Sequence, residues 1–122
     1  MPKILVVDDE RDPREMTVMA LERFGYEVAS AHDGGDALRY LESNPGIALI
    51  ITDLRMPGVD GLQLISLIRA SEEDWKTTPI ILISGTLFEA TAEIEVNGML
   101  PKPFRLGALR EMVRELIKDG AP

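Results

Sequence analysis

Four short apolar runs in this chain each end on a polar residue of a different kind. Ile4-Leu5-Val6-Val7 leads into Asp8-Asp9-Glu10, and Ile47-Ala48-Leu49-Ile50-Ile51 into Thr52-Asp53. Ile80-Ile81-Leu82-Ile83 ends on Ser84-Gly85, and Gly98-Met99-Leu100 on Pro101-Lys102-Pro103-Phe104. Singly, each polar group has an ordinary reading: an acid as turn former, a serine as local cap, a lysine as solvated charge. As a set they read as chemistry. Three carboxylates brought within about 4–5 Å repel by several kcal/mol at an effective dielectric of roughly 20, so they stay ionised only beside a cation. An all-oxygen cluster suits Mg²⁺, which is octahedral and keeps several waters. A carboxylate next to such an ion can attack phosphorus and become an acyl phosphate. The Lys102 ammonium and the Ser84 hydroxyl are groups that would then balance the phosphoryl oxygens. Gly85, without a side chain, leaves the entrance open.

Positioning these groups requires a particular sheet. The runs at 3–7, 47–51 and 80–83 are short, rich in branched residues and apolar throughout, as strands buried on both faces are. Residues 26–31 alternate with period two, like a half-buried or edge strand. Gly98-Met99-Leu100 reads as a brief fifth strand. Between them lie helical patterns. Asp12, Pro13 and Glu15 read as N-cap, N1 and N3 of a first helix reaching Phe24, with Met16, Met19, Ala20 and Phe24 facing the core and Gly25 stopping it. Asp33 caps a second helix carrying Ala37, Leu38 and Leu41. Asp60 caps a third, with Leu62, Ile65, Leu67 and Ile68 as its buried stripe. A weak pattern over 88–96 predicts a short fourth helix. The last helix spans about 106–118, with Leu106, Leu109, Met112, Val113, Leu116 and Ile117 inward and Gly120 at its C-cap position. Trp75, the single tryptophan, falls in a polar connection over 71–78 and reads as partly buried packing. Five strands alternating with about five helices predict an α/β fold, a doubly wound parallel sheet of order 2-1-3-4-5 of the flavodoxin-like kind. In that order the first and third strands are neighbours, and their carboxyl ends share one crevice.

Composition narrows the classes. The chain has 122 residues, 45% of them hydrophobic, which fits one domain over 1–122 with 119–122 as a tail or the start of a linker. It has no cysteine and one histidine, so thiolate and multi-histidine metal sites are excluded. His32, at the end of the second strand, reads as no metal ligand or phosphate carrier. A net charge of −8 argues against direct nucleic-acid binding and suits a cationic partner or metal. The apolar runs are too short for a membrane span, and a strand begins directly after Met1-Pro2, so a cytoplasmic location is expected.

The sequence resembles a response-regulator receiver domain over essentially its whole length. Ile4 to Glu10, Asp53-Leu54-Arg55-Met56-Pro57-Gly58-Val59-Asp60-Gly61, Ser84-Gly85 and Lys102-Pro103-Phe104 carry the likeness. The resemblance implies a two-component phosphoacceptor. Asp53 would receive a phosphoryl group from a histidine kinase or phosphotransfer protein. Asp9 would bind Mg²⁺ directly, Asp8 through water or as a secondary ligand, and the main-chain carbonyl of Arg55 would complete the set. Ser84 would meet the phosphoryl group, Lys102 would clamp it, and the Lys102–Pro103 bond would be cis. Two features depart from the family. Met99 stands where an aromatic switch residue is usual, and is the switch candidate here. The 84–102 interval is about four residues short, roughly one helical turn. The fourth helix is therefore expected to be short, displaced or poorly ordered, which leaves the downstream partner and dimerisation open. The Arg55 side chain either lies over the site entrance or is solvated. Rival readings are an interaction module that works without phosphorylation, an aspartyl phosphatase and a flavin carrier. The phosphatase would want a second acid where Arg55 stands. The flavin carrier would want a Ser/Thr/Gly-rich loop after the first strand.

Overall fold

The computed structural model describes residues 2–54, 56, 58–85 and 96–117. Its strands are β1 (Lys3–Val7), β2 (Glu27–Ala31), β3 (Ile47–Asp53), β4 (Ile80–Ser84) and β5 (Gly98–Pro101). Helices α1 (Arg11–Arg23), α2 (Gly34–Ser43), α3 (Gly61–Ala70) and α4 (Leu106–Ile117) join them, with one 3₁₀ turn at Asp74–Thr77. All neighbouring strands run parallel, in the order β2-β1-β3-β4-β5. This is the doubly wound, flavodoxin-like arrangement that the alternation of strands and helices predicts. The helix expected over 88–96 lies, but for Val96, outside the described residues, and four α-helices stand among those described. No described helix is long and apolar enough to cross a membrane.

The continuous apolar runs follow from a sheet covered on both faces. Successive residues of β3 divide between two layers. Ile50 joins Leu5, Val7, Ile80 and Leu82 beneath α2 and α3. Leu49 and Ile51 join Ile4, Val6, Ile81 and Ile83 beneath α1 and α4. β2 is the edge strand its alternation implies. Asp33 caps α2 by accepting from the Asp36 amide. Asp60 caps α3 in a full box with Gln63, at 2.9 Å one way and 3.1 Å the other. Trp75 sits in the 3₁₀ turn, half-buried against the first layer.

Several expected faces are turned. α1 begins at Arg11 with Glu10 as an N-cap that makes no side-chain cap bond, so Asp12 is a first-turn residue and not the cap. The Glu10 amide is instead taken by the Asp8 carboxylate, which fixes the chain one residue before Arg11. Met16 and Met19, expected in the core, are 64% and 56% exposed. The buried stripe of α1 runs through Ala20 and Leu21, with Val18 and Phe24 partly covered. In α3, Leu64 is buried and Leu67 exposed, because Asp60 starts the helix such that Leu64, Ile65 and Ile68 face the sheet. In α4, Leu106 is exposed in the first turn, and Leu109, Val113 and Ile117 carry the burial.

Candidate functional site

β3 delivers Asp53 to the carboxyl end of the sheet between β1 and β4. Its backbone is held from several sides. Thr52, fully buried, donates its hydroxyl to the Asp53 carbonyl. The Leu54 amide continues the ladder by donating to Ile83 O at 3.1 Å, and the Gly61 amide returns to Leu54 O at 2.9 Å. The first turn of α3 therefore presses on the end of β3. A Cβ on Gly61 would meet the Asp53 carbonyl oxygen and the Leu54 Cα, the latter at 2.8 Å. Between them Gly58 turns with φ +71°, a left-handed conformation that favours glycine.

Asp53 is 8% exposed, and Asp8, from the loop after β1, is 6% exposed. Lys102, just past β5, reaches both: its Nζ is 2.6 Å from Asp53 Oδ2 and 3.7 Å from Asp8 Oδ2. The Lys102–Pro103 bond is cis, as the resemblance implies. Burial disfavours the Lys102 ammonium, but its hydrogen bond to Asp53 and the charges of Asp53, Asp8 and Glu10 outweigh this and raise its pKa. Asp8 is also raised, chiefly by burial, with Asp53 and Asp9 adding repulsion. The Glu10 amide and Lys102 pull it the other way.

The structure thus brings together Asp8, Asp53 and Lys102. Asp9, adjacent to Asp8, is exposed. The crowded three-acid cluster is a two-acid pair with a lysine between, and no three His, Cys, Asp or Glu side chains among the described residues converge as a metal cage. Asp8 and Asp53 both lie against one cation, the Lys102 ammonium, and offer only oxygen donors. Mg²⁺ binding commonly needs only one or two carboxylates, the remaining positions being water or substrate oxygens, so the pair fits that ion. Ser84 ends β4 one position beyond Ile83, the register partner of Asp53. Arg55 lies outside the described residues. Met99 pairs with Leu82 in β5 and packs, half-buried, against the first layer. His32 is exposed and paired with Asp33 and Asp36 at the start of α2.

Two features escaped the reading of the sequence. Arg14 Nη1 donates to the Asp8 carbonyl at 2.9 Å, bracing the loop that carries the acids. Its signal was its place in the first helix, soon after a strand-end acid. Second, an open groove of about 510 Å³ adjoins the acids, its walls including Asp8, Glu10, Met16, Lys102, Phe104 and Leu106. The exposed Met16 was the available signal, hidden by a core-like spacing.

An acid buried at the switch point of a 2-1-3-4-5 sheet, beside a second acid and a lysine, marks a CheY-like signalling domain of the flavodoxin-like fold. The chain belongs to the response regulator receiver domain family, whose model matches residues 4–114. It is 36% identical over 124 residues to response regulator MprA of Mycobacterium avium, covering 98% of this chain and 53% of MprA. It is 43% identical over 98 residues to the CAI-1 autoinducer sensor kinase/phosphatase CqsS of Vibrio cholerae, covering 80% of this chain and 14% of CqsS. The chain therefore spans about half or less of the length of these curated relatives. Among solved structures, response regulator protein TrrA of Thermotoga maritima, in complex with Mg²⁺-BeF, superposes with a TM-score of 0.85 at 33% identity. That match covers 95% of this chain and 99% of TrrA. Receiver domains of this family serve two-component signalling and are not classical enzymes.

Proposed function

We propose that this domain is a phosphorylation-dependent switch in which Asp53 accepts a phosphoryl group from a histidine kinase or phosphotransfer protein. The observation that carries the reading is the buried Asp53 carboxylate with Lys102 Nζ at 2.6 Å. An Asp53 carboxylate oxygen forms a new P–O bond as the P–N bond to the donor imidazole breaks. The electron pair of that bond stays on the imidazole nitrogen. Lys102, already held on Asp53, follows the negative charge onto the phosphoryl oxygens. Ser84, at the end of the neighbouring strand, donates its hydroxyl to the same group. Asp9, Asp53 and the main-chain carbonyl of Arg55 would hold Mg²⁺, with Asp8 joining through water or as a secondary ligand. When bound, the ion supplies charge neutralisation for the carboxylates and the transferring group. Lys102 leaves its place on Asp53 and Asp8 as charge builds on phosphorus, and Met99, on the strand leading to Lys102, reports the change to the first layer.

Intact-mass measurement after incubation with Mg²⁺ and acetyl phosphate tests this. Wild type gains one phosphoryl group, about 80 Da with the added negative charge of an acyl phosphate, and Asp53→Asn gains none. A wild-type chain that neither forms the adduct nor binds beryllofluoride would overturn the reading and leave an interaction module that works without phosphorylation.

A further inference from the structure

At the start of β5, side chains add to the strand's own ladder. The strand has four residues, lies at the sheet edge, opens on Gly98 and closes on Pro101, which has no N–H to donate. Strands of this kind specify their register weakly. Yet the β5 register decides where Lys102 emerges opposite Asp53. Just ahead of the strand, Asn97 pairs with Ile80 in both directions: its amide donates to Ile80 O at 2.8 Å, and the Ile80 amide donates to Asn97 Oδ1 at 2.9 Å. The same Oδ1 accepts Arg69 Nη2 at 3.1 Å. Arg69, in the last turn of α3, also donates through Nη1 to the carbonyls of Lys76 and Thr78, both at 2.8 Å. One guanidinium thus ties the end of α3 to the chain entering β4 and the chain entering β5. The brace stands at the end of the sheet opposite Asp53.

We propose that Arg69 and Asn97 are positioning residues for the acceptor site: they lock the register of β5 on β4 and so hold Lys102 at Asp53. The inference rests on the proposed roles of Asp53 and Lys102. A slip of one residue would displace Lys102 by about 3.3 Å and exchange the faces of β5. That exceeds the 2.6 Å separating Lys102 Nζ from Asp53 Oδ2. Gly98 adds a second reason for a fixed register, since a Cβ there would meet Met112 Sδ of α4 at 2.6 Å.

Calorimetric titration of the full chain with beryllofluoride and Mg²⁺ tests the proposal. Wild type, Arg69→Gln, Asn97→Ala and Asn97→Asp are each measured well below their own unfolding midpoint. Arg69→Gln and Asn97→Ala lose affinity about tenfold, the worth of one misplaced charge-assisted hydrogen bond. Asn97→Asp, which keeps an acceptor for both donors, stays within about twofold of wild type. Should Arg69→Gln fail to fold, the two Asn97 variants carry the comparison. Variants with lowered midpoints but wild-type affinity would reduce the brace to a purely structural role and overturn the inference. Failure of wild type itself to bind would instead remove the acceptor reading, and this inference with it.

Discussion

Asp8 shows how a residue is placed against its own preference. It is buried beside Asp53, and burial lifts its pKa above the ordinary carboxyl value. The folded chain therefore holds the Asp8 proton more tightly than the unfolded chain does. The resulting stability is full below the unfolded pKa and is lost as pH rises through the folded one. At neutral pH, in metal-free buffer, ionised Asp8 is a cost. Asp8→Asn keeps an acceptor for the Glu10 amide and drops the charge, so it raises native stability by about 1 kcal/mol, the low end for relieving a crowded buried charge. Thermal melts across the acid range check this: the gain shrinks as pH falls through the carboxyl range, where wild-type Asp8 is itself neutral. An Asn variant less stable than wild type at neutral pH would show that Lys102 compensates Asp8 fully. The acids and the lysine were legible in the sequence because residue type and strand-end position do not depend on packing. The outward setting of Asp9 was less so, because it depends on how the chain turns between β1 and α1.

Whole elements were legible where one local rule dominated. Asp33 and Asp60 announce their helices through a side chain that accepts a nearby amide, and both caps form. The phase of a helix against the sheet is set by its neighbours, and there the spacing of apolar residues misled. Met16 and Met19 are spaced like core residues, but α1 turns Ala20 and Leu21 to the sheet and leaves the methionines outside. Leu67 and Leu106 were misplaced for the same reason. Met16 stands exposed on the groove that opens onto Asp8 and Lys102 and that Phe104 and Leu106 also line. On the proposed function, a protein donor bringing phosphohistidine to Asp53 covers this groove, whereas acetyl phosphate does not. Met16→Lys is therefore expected to slow phosphotransfer from the partner kinase or phosphotransfer protein about tenfold, the cost of desolvating a charge at an apolar contact. Its rate with acetyl phosphate and its melting midpoint stay at wild-type values. Equal losses with both donors would place Met16 in the acceptor chemistry and not in docking.

At the scale of the whole molecule, one sheet separates two apolar layers and also joins them. Ile50 is fully buried in the layer under α2 and α3, and its neighbour Ile51 is 1% exposed in the layer under α1 and α4. This opposition puts Asp53 at the end of a strand clamped from both faces, so a disturbance in either layer reaches the same carboxylate. It also sets how the chain unfolds. If the layers were separable, a small cavity in one would melt it alone. Because each residue of β3 anchors one layer while its neighbours anchor the other, Ile50→Val and Ile51→Val should each cost about 1 kcal/mol and lower one shared transition. Trp75 packs against the first layer and reports it by fluorescence, while far-ultraviolet circular dichroism reports both. Coincident denaturation curves from the two probes, in wild type and in both variants, are the expected result. In Ile51→Val the tryptophan curve must shift although the substitution lies across the sheet from it. A tryptophan transition that stays in place while the dichroism moves would mean that the layers melt independently.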